Sequence, residues 1–216
     1  MSGRELTFVE KTFLKVARSS AGFVVGYNVA FDEELLKQHG ISGLIKWGRM
    51  MMATFEEIEK QFGTRKAHVL AAFSSFFNGC DYCAWGHLFA TGLVHFEATG
   101  KLFPIDEVET HDLMRLGDNT VLAELEKRLG GEFADDLRLI KRQYEIRYTP
   151  GFKAENEEDR LILKSIGLFE WVNECSITVS APAPPMSRLA QKTKLLEAYA
   201  AARQPERAAR ASQKKG

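Results

Sequence analysis

Residues 64–100 read TRKAHVLAAFSSFFNGCDYCAWGHLFATGLVHFEATG, and they decide the fold. From Thr64 to Phe77 the segment is apolar and aromatic almost all round, as a helix buried on every side must be. Asn78-Gly79 interrupts it. The apolar run then resumes to about Thr99, where Gly100 stops it. Two helices separated by a two-residue break predict a helical hairpin, with Asn78 as N-cap of the second helix and Cys80 near its second position. Folding the chain back at 78–79 sets residue 68 roughly level with 89 and residue 70 with 87. His68 is therefore expected beside His87.

The same periodicity continues on both sides of the hairpin. Leu6, Val9, Phe13, Leu14 and Ala17 recur at helical spacing, Asp32 caps a short helix that Gly40 ends, and residues 42–62 carry a broad apolar face closed by Gly63. Downstream, Ile105, Val108 and Leu113 suit one helix, Val121 to Leu129 another, and Phe133 to Ile146 a third. After the turn Thr149-Pro150-Gly151, residues 157–172 are again helical by pattern. Only Ser176-Ile177-Thr178-Val179 resembles a strand. The expected fold is all-α, a bundle over residues 1–180 built around the hairpin. Residues 181–216 are expected to form a Pro-rich linker, a short helix from Arg188 to Ala202 and a disordered end from 204.

Charge divides the chain unevenly. Residues 181–216 hold eight Lys and Arg (among them Arg203, Arg207, Arg210, Lys214 and Lys215) against Glu197 and Glu206, a net of +6, so the other 180 residues carry −6 in a chain that is neutral overall. Such a tail is expected to be solvated, or to pack on another subunit or on its own core. Its one aromatic, Tyr199, argues against nucleic acid. The charged N-terminal stretch lacks a signal-peptide pattern and no segment has the length of a membrane span, so a cytoplasmic protein is expected. Three cysteines in 216 residues are too few for a disulfide scaffold.

Two of those cysteines carry the chemistry. Cys80 and Cys83, three residues apart at a helix start, present both sulfurs to one face, and the helix dipole there favours a thiolate. His87, four residues further on, projects over the same face. A relay from His68 through His87 to Cys83 follows from the spacing, with Ser74 or Ser75 at the sulfur level and Trp85, Phe76, Phe77 and Phe89 as an apolar wall. Ala84 stands where a c-type haem site needs histidine, and a thioredoxin-like motif would follow a strand. The competing readings are a zinc site of Cys80, Cys83, His87 and His68, and two inert buried cysteines beside a core histidine. Cys175, His95 and the Met50-Met51-Met52 run read as packing.

The stretch Asn78-Gly79-Cys80-Asp81-Tyr82-Cys83-Ala84-Trp85-Gly86-His87 resembles the signature of the alkylhydroperoxidase D-like, carboxymuconolactone decarboxylase family, in its Cys-x-x-Cys-x-x-x-His redox branch. The resemblance implies an all-α protein that assembles as a trimer or larger homo-oligomer. It implies reduction of hydroperoxides without flavin, haem or metal, with a thiol or dithiol protein as electron donor. It also implies Cys83 as the attacking thiolate, Cys80 as its disulfide partner and His87 as part of the proton relay. Where the family places a glutamate twelve residues before the first cysteine, this chain has His68.

Overall fold

Gly79, at φ 74°, makes the turn on which the bundle is built. A computed structural model describes residues 4–213; Lys214 and Lys215 of the basic tail lie outside the described residues. The hairpin consists of α3 (Thr64–Phe77) and α4 (Asp81–Thr99). The Phe76 carbonyl accepts from Gly79 N–H at 3.0 Å and the Ser75 carbonyl from Cys80 N–H at 2.9 Å, which closes the end of α3. Asn78 is thus the C-cap of α3, and Cys80, with extended backbone, is the N-cap of α4. The expected capping role passes from Asn78 to Cys80 because the chain needs the intervening glycine to reverse direction.

Residues 67–76 of α3 are buried without interruption, so α3 is the axis of the molecule. Around it lie α2 (Asp32–Phe62), α7 (Ala134–Tyr148) and α8 (Glu157–Ser176), while α1 (Phe8–Val24) packs on α2. Gly40 stands at φ 67°, ψ −175° and divides α2 into two rods, at the point where the sequence predicts one helix to end. A 3₁₀ turn at Glu107–Glu109, α5 (Thr110–Met114) and α6 (Asp118–Arg128) cover the far side of the hairpin. There Phe73, Leu88, Phe103, Leu125 and Leu129 form one apolar cluster. All nine α-helices, and no strand, occur among the described residues.

The short strand-like stretch Ser176-Ile177-Thr178-Val179 is no strand, as the all-α expectation requires: Ser176 is the last residue of α8, and Val179 N–H bonds back to the Ser176 carbonyl. One expectation fails. The C-terminal segment does not fray at 204: α9 runs from Thr193 to Gln213, through Pro205. Its basic residues find a matching acidic segment in the same chain. Arg203, 1% exposed, donates to the carbonyls of Phe103 and Ile105 and to the Tyr199 hydroxyl, and Arg207 pairs with both Asp106 and Glu107. Arg210 pairs with Asp106 and Glu109. Charge that reads as solvent-facing in isolation is held by these buried carboxylates. Tyr199 itself presses on Gly92 of α4, where any β-carbon would collide with its hydroxyl. The linker is fixed as well: Met186 N–H donates to the Gly86 carbonyl at 3.0 Å, and Met186 fills the space a side chain at Gly86 would need.

Candidate functional site

The N-cap position of α4 calls for a side-chain acceptor, a role usually taken by Ser, Thr, Asp or Asn. Here the acceptor is sulfur: Cys80 Sγ receives the Cys83 N–H at 3.4 Å. Both cysteines are free thiols, and both are buried. They face an apolar wall of Phe31, Tyr82, Val172, Ala183 and Met186, with Trp85 and Tyr27 packed against it. Tyr82 is held in place because its hydroxyl accepts from Ala30 N–H at 3.0 Å.

The environment drives the two sulfurs apart in acidity. Cys80 is lowered to about 7, first by a hydrogen bond from the Cys83 thiol and, against the cost of burial, by the Ser176 hydroxyl and the Cys83 amide. Cys83 is raised, because its thiol proton serves Cys80 and because it is buried. Of the two, Cys80 is therefore the sulfur that ionises first, close to neutral pH, while Cys83 keeps its proton. This order is the reverse of the one the resemblance implies. The hydroxyl at the sulfur level comes from Ser176 at the end of α8. Ser75 instead bonds the Ala71 carbonyl, and Ser74 is taken up by Ser165 and Gln143.

Four residues past Cys83, the hairpin brings His68 and His87 together as its register predicts, Nδ1 to Nδ1 at 3.2 Å. Phe55 lies 5.5 Å from both rings, and Phe169 meets His87 edge-on at 5.3 Å. Burial holds His68 down at about 4; burial and then the neighbouring His68 hold His87 well below the usual histidine range. Both imidazoles are neutral near pH 7, one nitrogen donating and the other accepting. Neither forms a hydrogen bond to a sulfur, so the expected relay stops at His87.

The zinc alternative does not fit, because it needs Cys80, Cys83, His87 and His68 to converge. Among the described residues no group of three or more His, Cys, Asp or Glu is placed to hold a metal ion. The expected aromatic wall is also revised. Trp85 does pack at the cysteines, but Phe76 and Phe77 belong to the cluster on the far side of the hairpin and Phe89 stacks on Tyr199. His95 turns to Phe133 and Phe103, and His39 stacks on Trp171. Cys175 lies in the same apolar cluster as the pair, bonded to Gln38, and burial raises it to about 11. It is packing.

Sequence reasoning misses Ser176, Tyr27, Phe55 and Phe169 as site residues. Phe55 was legible only as part of the apolar face of α2, and Ser176 was hidden in a stretch with strand-like composition. No protein-family model, no curated protein and no solved structure matches the chain. The functional reading rests on the site.

Proposed function

We propose that this protein is a thiol–disulfide oxidoreductase that reduces hydroperoxides through Cys80 and Cys83, as its resemblance to the alkylhydroperoxidase D-like family implies. The observation that carries the reading is the N-cap sulfur: Cys80 Sγ accepts the Cys83 amide and holds its negative charge near neutral pH. A thiolate beside a thiol on one helical turn is the resting state that such chemistry needs.

In this reading the Cys80 thiolate attacks the terminal oxygen of the hydroperoxide. The O–O bond breaks, the alkoxide leaves and takes a proton to become the alcohol, and Cys80 becomes a sulfenic acid. Cys83 then loses its proton and attacks the Cys80 sulfur. The S–S bond forms, and hydroxide leaves as water. A thiol or dithiol donor protein returns both electrons by thiol–disulfide exchange. The resemblance names Cys83 as the attacking sulfur, but the hydrogen bonding favours Cys80, and we assign the role there. The neutral histidine pair takes no charge in the resting state and stands outside this transfer: the proton Cys83 gives up goes to the departing hydroxide, which leaves as water. A cytoplasmic setting and a homo-oligomer of three or more copies belong to the same proposal.

Mass spectrometry after one equivalent of hydroperoxide tests it. An 80–83 bridge is expected in the parent, and a trapped sulfenic acid at Cys80 in Cys83→Ser. Persistent free thiols in the parent would sink the redox reading, while sulfenic acid on Cys83 in Cys80→Ser would return the attack to Cys83.

A further inference from the structure

α1 is tied down along its whole length, yet one face of it is bare. A capping box of Thr7 and Glu10 closes its first turn, and Arg18 pairs with the buried Asp32 of α2. At its last residue the Arg188 guanidinium donates to the Val24 carbonyl at 2.7 Å. Leu14 turns inward and is buried. On the other side Phe8 is 84% exposed, Val9 65%, Val16 60% and Phe23 90%. At about 100° per residue these four share an arc of about 100°, on which no residue of the helix is charged. Half of the ten large apolar side chains that the described residues expose belong to this one helix, the fifth being Val24. Ordinary scatter of apolar surface does not concentrate in this way.

The bare face is complementary to itself. Val9 and Phe23 stand equally far from Val16 along the chain, and so do Phe8 and Val24, and Thr12 and Ser20. Two such helices laid antiparallel about a two-fold axis at Val16 set apolar side chains against apolar ones at both ends. Between the ends, hydroxyls meet hydroxyls and Val16 meets its own copy. The two phenylalanines and two valines offer roughly 500 Å² per copy, so a pair buries about 1,000 Å², where specific interfaces begin. Glu10 and Arg18 are engaged inside the chain by Arg4 and Asp32. Lys11 and Lys15, both exposed, border one edge of the stripe only; the other edge turns inward through Phe13 and Ala17. A helix lying on a membrane would instead carry its apolar face between basic borders.

We propose that the outer face of α1 is a two-fold interface, on which a second copy of this chain docks antiparallel with Val16 at the axis. The proposal goes beyond the redox reading and does not depend on it. An isologous contact is used up within one pair, so copies join here in twos, and any larger homo-oligomer needs a second, different surface. The helix is already fixed to its own core, so pairing costs little ordering of the backbone, and burial of the four apolar side chains drives it.

Light scattering of the full chain over a range of concentrations tests it. The parent should hold an even number of copies. Val16→Asp sets two carboxylates face to face at the axis and should halve the mass, weakening the pair about a hundredfold or more. Val16 is exposed, so the variant should keep the parent's melting point. Val16→Cys gives a second reading: mild oxidation should cross-link two copies at position 16, whereas Lys127→Cys, exposed on α6, should give no such bond. In about 0.5 M salt the pair should hold or tighten, because the contact is apolar and the lysines of both copies crowd one edge. A single or odd number of copies, an unchanged mass in Val16→Asp, loss of the pair in salt, or no cross-link at 16 would each overturn the proposal. A chain that stays single in solution, while Phe23→Trp emission moves to the blue on vesicles containing phosphatidylglycerol, would make the face a membrane surface instead. Mass does not depend on the 80–83 bridge, so this interface and the redox reading stand or fall separately.

Discussion

The cysteine pair at the start of α4 and the histidine pair a turn further along are both buried, yet Cys80 is shifted toward its charged form and both histidines toward their neutral one. At the cysteines, the Cys83 thiol, the Ser176 hydroxyl and the one Cys83 amide at the helix start favour the charged form of Cys80, and together they outweigh desolvation. At the histidines the helix interior has no free amides, and the rings meet Phe55, Phe169 and each other. Desolvation wins there. The difference teaches that position along one helix, rather than depth in the protein, decides which buried group ionises.

The comparison breaks most completely at Cys80. Replacing it by serine should abolish both the 80–83 bridge and peroxide consumption, since the remaining sulfur is protonated at neutral pH; peroxide turnover in Cys80→Ser that matches the parent would show that the charge sits elsewhere.

The histidine half predicts a loss of stability in acid. An unfolded histidine takes up a proton near pH 6.5, but folded His68 does so only near 4. Between those values the unfolded state binds more protons, so stability falls as pH drops through this window and levels off below it. The slope approaches about 1.4 kcal/mol per pH unit for each histidine, and His68 alone sums to about 3 kcal/mol. Denaturant melts across the window should show this dependence in the parent and lose it in a His68→Gln, His87→Gln double variant. Equal slopes in both proteins would mean that the pair is not held neutral.

A smaller change sharpens the cysteine side. Cys83→Ala removes the strongest donor to Cys80, whose titration should climb from about 7 toward the value of about 8.5 for an unperturbed thiol. Thiolate absorbance against pH measures it, and a midpoint that stays put would assign the lowering to the helix start instead. Ser176→Ala should move the same midpoint upward by less, since Ser176 ranks behind Cys83 among the causes. It should leave the acid slope of the histidines unchanged. A shift in that slope would show that the two pairs are coupled after all.

How much of this was legible follows from range along the chain. The hairpin register is local: with the break at 78–79 and a 1.5 Å rise per residue, His68 must land near His87, and it does. Gly40, Gly63 and Gly100 likewise mark real helix ends, because a glycine stop depends on its own backbone. Which neighbours cover each face of α4 is not local. Phe76, Phe77 and Phe89 were assigned to the site on proximity in sequence, but α8 and the 183–186 segment occupy that side, so they face elsewhere. The ordered end of α9 was unreadable for a related reason. Its arginines are matched by Asp106, Glu107 and Glu109, about a hundred residues away, and composition alone cannot show that pairing.

The facing δ nitrogens of His68 and His87 also fix the bookkeeping of hydrogen atoms in the core. A single hydrogen lies between them, so the ring that lends it is the Nδ1–H tautomer and its neighbour must be the Nε2–H tautomer. The two assignments interchange when that hydrogen crosses the gap and the outer nitrogens trade theirs. A proton arriving at the outer nitrogen of one ring is thereby matched by one leaving the outer nitrogen of the other. Two imidazoles that are each too deeply buried to stay charged can in this way pass a proton on without retaining it.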